Sequence, residues 1–333
     1  MKLRINKDHL RVIVIIAAAV LVLALFFTLL SGWEKRHGAV DADSIDPASD
    51  GRISVAGHWY VPNEKIKTVL VLGVDKFAAE TEEEGYKNTQ QADFLLLLMI
   101  DEQNEAYKVL HLNRDTMAQI PVLGVRGEKA GSITGQLALA HTYGSGGADS
   151  CRNTVDAVSD FLYGARIDHY LSFTMDAVAE INDLVGGVTV TLSEDFSELD
   201  PSMTQGATLT LNGEQALTYV RYRRGLEDSS NLSRMERQRQ YLAAFREQLA
   251  LQTAEDDSFF MKAADSVSGY LVSDCTVSQL SRLFDELTTY TYGGFETPKG
   301  EAVKGEEFME FYVDEDALKQ QLLSLLYVPV EED

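Results

Sequence analysis

The chain has 333 residues, of which 45% are hydrophobic, and a formal net charge of −23 from 29 Lys and Arg against 52 Asp and Glu. This composition is ordinary for a globular protein and supplies enough apolar residues for a substantial core. The strong acidity repels anionic polymers at long range and argues against a nucleic-acid partner.

An uncharged apolar run near the N-terminus, residues 12–30, predicts one membrane-spanning helix. Its nineteen residues would form a helix of about 28 Å, close to a hydrocarbon core of roughly 30 Å. Four basic residues lie within residues 1–11, so this tail is expected in the cytoplasm and the rest of the chain outside the cell membrane. A cleaved signal peptide is the alternative, although the run is long for a signal core and no small-x-small cleavage site follows it.

Residues 31–65 have the Gly, Asp, Ser and Pro composition of an extracytoplasmic linker. As a flexible chain it would span about 33 Å, which lets a folded domain work at the height of the lipid headgroups. The part of the chain after residue 30 retains 25 basic and 51 acidic residues, a net charge of −26. Any phosphate must therefore be bound locally, against the overall charge.

Strand and helix patterns alternate after residue 66, which predicts a three-layer α/β/α domain over residues 66–250. Short apolar runs bounded by polar residues indicate strands buried on both faces. The predicted strands are Thr68–Val74, Phe94–Ile100, Tyr107–Leu112 and Val188–Leu192, and the predicted helices are Ser150–Leu162 and Met175–Leu184. Asn212 and Gln215 form a capping pair that opens another helix, running to about Tyr219. Residues 251–333 carry amphipathic helical patterns at Val277–Leu287 and Asp316–Leu326 and are expected to pack on this domain as a C-terminal extension.

Six arginines lie within nineteen positions of this acidic chain, from Arg221 to Arg239. A planar guanidinium binds phosphate with two parallel hydrogen bonds, which lysine cannot do. Arg221 and Arg223 would share one face of an extended segment. Arg234, Arg237, Gln238 and Tyr241 would share one face of a helix. We therefore predict an anion site. The alternative is a solvated charged face with acidic partners, which accounts for Arg224 and Arg239.

Two aspartates mark the ends of neighbouring predicted strands, where open α/β sheets bind their ligands. Asp75 follows the first strand, Asp93 precedes the second, and Arg114 follows the third. Two carboxylates together with phosphate oxygens suit Mg²⁺, which keeps few protein ligands. Either aspartate alone would be read as a turn or capping residue. The set of three residues predicts a Mg²⁺-dependent phosphate site.

The other candidate functional motifs and residues give weaker signals. The sequence has no P-loop, no H-E-x-x-H and no G-x-S-x-G motif. His141 is more readily a structural histidine than a base, and Gly144–Gly147 is more readily a loop before a helix than a phosphate cradle. Cys151 and Cys275 either form a disulfide or remain buried thiols, and neither has a Cys or His at zinc-ligand spacing.

Seven motifs in the order found here resemble the LytR-CpsA-Psr family over about residues 66–250. They are V-L-V-L-G-V-D, A-D-F-L-L-L, L-N-R-D-T, L-A-L-A-H-T-Y-G, V-G-G-V-T-V, L-N-G-E-Q-A-L-T-Y-V-R-Y-R and S-R-M-E-R-Q. The resemblance implies a domain with a central mixed sheet flanked by helices. It also implies a membrane enzyme of Gram-positive bacteria that moves a glycopolymer from a polyprenyl-pyrophosphate carrier to the muramic acid 6-hydroxyl of peptidoglycan, forming a phosphodiester.

The same resemblance assigns roles to individual residues. Asp75 and Asp93 match the aspartates that hold Mg²⁺, and together with Arg114 they form the expected catalytic set. The residues expected to bind pyrophosphate are Arg221, Arg223, Arg234, Arg237 and Gln238. The lipid tail is expected in an apolar tunnel beside the sheet, and Asp75 is the candidate base for the acceptor hydroxyl.

The sequence departs from the family around both aspartates. Members often carry an arginine shortly after the first aspartate and another before the second, where this chain has Lys76-Phe77 and Gln91-Ala92. These departures favour one alternative, a non-catalytic wall-polymer binding or regulatory protein. A second alternative, a lipid-pyrophosphate hydrolase, stays open because the sequence does not distinguish water from a sugar hydroxyl as the acceptor. Teichoic acid, capsule and other glycans are all open as the glycopolymer.

Overall fold

The computed structural model describes residues 46–47, 52–55, 57–75, 80–82, 85–87, 90–124, 128–222, 231–256, 258–306 and 308–330. The predicted membrane helix at residues 12–30 and the predicted phosphate ligand Arg223 lie outside these residues. Within them, every helix is too short or too polar to serve as a membrane span.

The described residues form the following strands and helices. The strands are β1 (Asp46–Pro47), β2 (Ile53–Val55), β3 (His58–Pro62), β4 (Ile66–Val74), β5 (Glu80–Glu82), β6 (Gly85–Lys87), β7 (Ala92–Asp101), β8 (Ala106–Leu112), β9 (Met117–Leu123), β10 (Lys129–Gln136), β11 (His169–Thr174), β12 (Val188–Thr191), β13 (Thr208–Leu211), β14 (Leu271–Ser273), β15 (Thr291–Glu296), β16 (Gly300–Lys304), β17 (Met309–Val313) and β18 (Tyr327–Pro329). The α-helices are α1 (Gly147–Phe161), α2 (Asp176–Leu184), α3 (Gly213–Arg221), α4 (Asn231–Glu255), α5 (Phe259–Val267), α6 (Val277–Thr289) and α7 (Glu315–Leu326), with 3₁₀ turns at Leu137–Tyr143 and Ser268–Tyr270.

The main sheet has six strands in the order β14-β11-β4-β7-β8-β15. Strand β11 runs parallel to β4 and β15 runs parallel to β8, while the other neighbours are antiparallel. The predicted central mixed sheet flanked by helices is therefore confirmed. The predicted strands correspond to β4, β7, β8 and β12, and the capping pair opens α3 as a complete capping box.

Both edge strands of the main sheet, β14 and β15, come from the stretch after residue 250. This C-terminal stretch thus completes the sheet as well as covering it. The division into a catalytic domain at 66–250 and an extension at 251–333 stays a prediction.

The two faces of the main sheet are covered by different helices. On the first face, leucines of β4, β7 and β8 pack against α1 and α7. On the second face, Val69, Leu98 and Val109 pack against Leu242 of α4 and Leu283 of α6. A separate cluster joins the β12–β13 hairpin to α3, α4 and α5. Helices on both faces thus leave the strand ends as the place where polar side chains collect.

Part of the predicted linker, residues 31–65, forms β-strands. Strands β1, β2 and β3 lie within it and form a small sheet with β18 from the other end of the chain. Ile53 and Val55 are buried in this sheet. Short strands with one long-range partner give a weak sequence pattern, because the stabilising pairing comes from residues far along the chain.

The two cysteines do not pair. Both Cys151, which is buried, and Cys275, which is partly exposed, are free thiols. Burial raises the pKa of the Cys151 thiol to about 11. Cys151 therefore behaves as a small apolar core residue.

Candidate functional site

A β-bulge at the start of β7 sets the position of Asp93. The β4–β7 register pairs Gly73 with Phe94 and then Val74 with Ala92, which leaves Asp93 without a partner on β4. Bulges bend a strand and re-aim a side chain, and they are common beside active sites. Gly73 accommodates this bend, since a Cβ there would meet the Phe94 Cβ at 2.9 Å. Asp75 follows β4 directly, so both aspartates lie at the same end of the sheet.

Arg114 is the direct partner of Asp93. The guanidinium forms a close ion pair with the Asp93 carboxylate and lies 3.3 Å from Oδ1 of Asp115, with Arg114 and Asp115 both buried. Its Nη2 also donates to Oε1 of Gln91 at 2.5 Å. Gln91, one of the departures from the family pattern, thus helps to orient the arginine. A buried arginine between two carboxylates is held firmly, because an unpaired buried charge costs several kcal/mol.

Arg234 reaches the same place from helix α4. Its Nη2 donates to the backbone carbonyl of Asp93 at 3.4 Å and to Oδ1 of Asn231 at 2.5 Å. Asn231 in turn donates to Oδ1 of Asn113, which also accepts from the backbone N–H of Asp115. Three chain segments are therefore tied into one buried hydrogen-bonded network.

Arg221 is the partner of Asp75, with Nη2 at 2.8 Å from Oδ1 and about half of each side chain exposed. It does not lie in an extended segment as predicted, because α3 continues through Arg221 and Tyr222 is the first extended residue. The last helical turn closes with a hydrogen bond from the Tyr222 N–H to the Thr218 carbonyl. A cation at a helix C-terminus is favoured by the helix dipole.

Arg237 and Gln238 lie behind this group. Arg237 is 1% exposed, and its guanidinium donates to Glu194, to Ser233 and to the backbone carbonyls of Tyr219 and Tyr222. Gln238 donates to the Val220 carbonyl at 3.0 Å. Both side chains hold the end of α3 against α4 in this structure. Their assignment as pyrophosphate ligands stays a prediction, whereas the geometry shows a positioning role.

The structure thus brings together five of the predicted site residues at one end of the sheet. They are Asp75, Asp93, Arg114, Arg221 and Arg234. Sequence reasoning missed the polar residues that support them, namely Gln91, Asn113, Asn231 and Gln136. Gln136 donates to Asp115 at 2.9 Å and to the Met309 carbonyl at 2.7 Å, and its only sequence signal is a polar residue closing a strand.

An apolar surface borders the site on the second face of the sheet. Val71, Phe94 and Phe173 belong to inner strands yet are only partly buried, while Leu70 and Leu72 on the first face are 0% exposed. The register places Phe173 beside Gly73 and Gly73 beside Phe94, next to the two aspartates. We call Val71, Phe94 and Phe173 the open apolar face.

His111 lies on the same face of the sheet, 1% exposed, with its ring 5.0 Å from that of Phe94. Burial, and then the positive charges of Arg239 and Arg234, lower the pKa of His111 to about 3. The ring is therefore neutral at physiological pH.

The donor set fits a magnesium ion. Two carboxylates lie at adjoining strand ends, and hard oxygen ligands of this kind are those that Mg²⁺ takes. Each is balanced by one arginine, Asp75 by Arg221 and Asp93 by Arg114. An arriving diphosphate would compete for those guanidinium groups, which leaves the carboxylate oxygens available to a cation.

Two weaker candidates are structural, as expected. His141 is 0% exposed, and its Nδ1 lies 2.9 Å from the Gln90 carbonyl. The glycine-rich segment is a loop closed by a hydrogen bond from the Gly146 N–H to Ser150 Oγ before α1. Neither belongs to the group around Asp93.

The internal role of Arg237 predicts an effect on stability. Arg237→Met leaves Glu194 and two backbone carbonyls without their donor, so we expect the free energy of unfolding to fall by about 3 kcal/mol. Arg239→Met, which removes an exposed pair with Glu236, should cost less than about 1 kcal/mol. Urea denaturation followed by circular dichroism measures both. Equal losses would show that Arg237 does not have this structural role.

The neutral state of His111 predicts a pH dependence. Because its pKa is about 6.5 unfolded and about 3 folded, the unfolded chain binds a proton first as pH falls. The contribution of the neutral His111 ring to the free energy of unfolding is complete above pH 6.5. It decreases by about 1.4 kcal/mol per pH unit as the pH falls from 6.5 towards 3. His111→Phe keeps a planar ring but has no titrating group. Between these pH values, the slope of its unfolding free energy against pH should be lower than that of the natural chain by this amount. Parallel curves for the variant and the natural chain would contradict the assignment.

Comparisons with known proteins identify the family and the fold. The LytR_cpsA_psr family model matches residues 35–321. The polyisoprenyl-teichoic acid–peptidoglycan teichoic acid transferase TagU of Halalkalibacterium halodurans is 32% identical over 65% of this chain and 58% of its own length. The corresponding transferase TagV of Bacillus subtilis is 30% identical over 74% of this chain and 61% of its own length.

The chain therefore spans about three fifths of the length of these two relatives. Among solved structures, TagT bound to LI-WTA has a TM-score of 0.59 and 21% identity, and covers 79% of this chain and 90% of its own. That likeness shows a shared fold. The family match extends over most of the chain, and the protein belongs to the LytR-CpsA-Psr family.

Proposed function

We propose that this protein transfers a glycopolymer from a polyprenyl-pyrophosphate carrier to the muramic acid 6-hydroxyl of peptidoglycan. The observation that carries the proposal is the meeting of two aspartates and three arginines beside the open apolar face. Such a place suits a molecule with a diphosphate and a lipid tail. The names of the relatives favour teichoic acid as the glycopolymer.

Charge supports a diphosphate as the bound group. Arg114, Arg221 and Arg234 come from different segments and converge in a chain whose net charge is −23. A hydrogen bond to a charged group contributes roughly 1.5–3 kcal/mol, so several are needed to hold a diphosphate against this overall charge. Arg223 and Lys76, outside the described residues, are close in sequence to this group.

The reaction is a phosphoryl transfer governed by positioning and charge neutralisation. The acceptor hydroxyl attacks the phosphorus that carries the glycopolymer, and the bond from that phosphorus to the polyprenyl phosphate breaks. Polyprenyl monophosphate leaves with the bonding electrons, and its negative charge is stabilised by the arginines. Asp75, which is about half exposed, is the proposed acceptor of the hydroxyl proton.

A magnesium ion held by Asp75 and Asp93 would neutralise charge on the diphosphate oxygens. The remaining contributions come from the protein. Arg114, held between Asp93 and Asp115, would offer its guanidinium to the phosphate from a well-defined position. The Asn113–Asn231 hydrogen bond holds α4, and therefore Arg234, at the same depth.

The open apolar face is the proposed site of the polyprenyl chain. Val71, Phe94 and Phe173 border the aspartates, and apolar surface left accessible on inner strands is costly without an occupant. The lipid requires that the protein work at a membrane. We therefore propose that residues 12–30 anchor it, with the catalytic domain outside the cell.

One experiment separates transfer from its alternatives. The full-length chain in detergent is incubated with lipid-pyrophosphate glycopolymer and Mg²⁺, with and without peptidoglycan oligomers. Product that depends on the acceptor supports transfer. Phosphate release without acceptor would identify a hydrolase, and tight binding without product would identify a binding or regulatory protein.

Replacement of Asp75 tests the proton acceptor. Asp75→Asn keeps the shape and the hydrogen bond to Arg221 but removes the base, so transfer should fall by about 10²–10⁴-fold. Asp93→Asn should also reduce transfer, because Arg114 loses its charged partner. The exposed Asp265→Asn is the control and should leave the rate unchanged. Normal transfer by Asp75→Asn, with transfer abolished by Asp93→Asn, would refute the assignment of Asp75 as base.

Filling the open apolar face tests the lipid site. Val71→Phe should lower kcat/KM for a long-chain polyprenyl donor by about tenfold, since displacing two methylene-sized groups costs about 1.6 kcal/mol. A short-chain donor should be affected much less. Val303→Phe, on an exposed position of β16, is the matched control. Equal effects of Val71→Phe on both donors would place the lipid elsewhere.

A further inference from the structure

Three side chains of metal-binding type lie together at the opposite end of the sheet from the candidate site. His169 is the first residue of β11, which runs parallel to β4 and therefore starts at the end remote from Asp75. Asp274 and Cys275 follow β14, the edge strand paired antiparallel with β11. One ligand atom from each lies within 4.8 Å of the others.

The contacts around these residues favour an ion between them. The Nδ1 atom of His169 is buried and makes no hydrogen bond within the described structure, and it lies 3.5 Å from Oδ1 of Asp274. A hydrogen bond from the Cys275 N–H to Ser273 Oγ fixes the backbone that carries the thiol. Asp274 is 41% exposed, so an ion can reach the group from solvent and keep a water ligand.

We propose that His169, Asp274 and Cys275 bind a zinc ion. Imidazole nitrogen, carboxylate oxygen and thiolate sulfur are together the ligand set of Zn²⁺, whereas Mg²⁺ and Ca²⁺ take oxygen ligands. Three protein ligands and one water complete a tetrahedral site. The sequence gives no hint of it, because the histidine and the cysteine are more than a hundred positions apart.

Gln279 contacts the other ring nitrogen of His169, Nε2. Its Nε2 lies 3.0 Å from Nε2 of His169, while its Oε1 accepts the Thr276 N–H in the capping box of α6. A ring that binds zinc through Nδ1 carries its proton on Nε2 and needs an acceptor there. The Gln279 contact must therefore rearrange when the ion binds. A glutamate at this position would accept that proton and could still cap the helix.

A bound ion would have a structural consequence. It would join β11, a strand of the predicted catalytic domain, to the turn that opens α6 in the C-terminal stretch. Strand β14 pairs with β11 through three residues, and Tyr170 of β11 adds two hydrogen bonds, its N–H donating to Asp274 Oδ1 and its carbonyl accepting from Ser273 Oγ. We expect zinc to raise the melting temperature, because a ligand that binds only the folded state stabilises it.

The direct test uses the metal alone on the full-length chain, purified in detergent, stripped of metal and saturated with Mg²⁺ to occupy the carboxylates of the other site. Zn²⁺ should bind in a one-to-one ratio by calorimetry. Co²⁺ in its place should give the sulfur-to-cobalt charge-transfer absorption of a thiolate ligand. Absence of that absorption, or zinc binding equal in Cys275→Ser, would overturn the proposal.

Matched variants identify the ligands. His169→Gln and Cys275→Ser should each weaken zinc binding by more than about tenfold, and Gln279→Glu should strengthen it. The exposed His58→Gln, in a different sheet, is the control and should bind zinc as the natural chain does. Weakening by His58→Gln to the same extent would show that the binding is non-specific.

A second measurement needs no variant. Cys275 is partly exposed and Cys151 is 0% exposed, so iodoacetamide should alkylate Cys275 in the native chain. Zinc should slow that alkylation by more than about tenfold, since a metal-bound thiolate is shielded. Mass spectrometry locates the modified residue. An alkylation rate at Cys275 that does not change with zinc would refute the site.

Discussion

The ion pair between Arg114 and Asp93 is the interaction on which the rest of the candidate site depends. Asp93 is available because a bulge removes it from the β4–β7 pairing, and Arg114 is available because it follows β8 at the same end of the sheet. Each would be costly to bury alone, and together with Asp115 they form a charged group with low exposure. Gln91, Gln136 and the Asn113–Asn231 bond add hydrogen bonds to this group. The site is therefore rigid before any ligand arrives, which favours a reaction that proceeds by positioning.

The two faces of the main sheet differ in how completely helices cover them. The first face is a closed leucine core against α1 and α7, with several side chains 0% exposed. The second face is closed at one end by α4 and α6 but leaves Val71, Phe94 and Phe173 partly accessible next to the aspartates. A sheet can tolerate this opening because its other face is fully packed. The proposed lipid site thus rests on a core that does not include it.

The arginines of residues 221–239 differ in exposure and in the groups that they contact. Arg221 is about half exposed and free to exchange Asp75 for an anion, whereas Arg237 is enclosed by Glu194 and two backbone carbonyls. Arg234 is also buried, at 3% exposure, on the turn of α4 that meets Asp93. The buried arginine fixes the end of α3, and that end carries the exposed one. One motif therefore contains both a buried positioning arginine and an exposed arginine that is proposed to bind the anion.

The sequence by itself determined the central strands, most helices, the α3 capping box and the family, because apolar runs, helical periodicity and capping pairs are local patterns. It also grouped Asp75, Asp93 and Arg114 with Arg221, Arg223, Arg234 and Arg237, since strand ends and arginine spacing are local as well. Only the tertiary structure decided that Arg237 points inward, that Asp93 lies in a bulge, and that Ile53–Val55 and His58–Pro62 are strands of one sheet with β18. Each of these depends on contacts between segments far apart along the chain, whose free energy no short stretch of sequence contains.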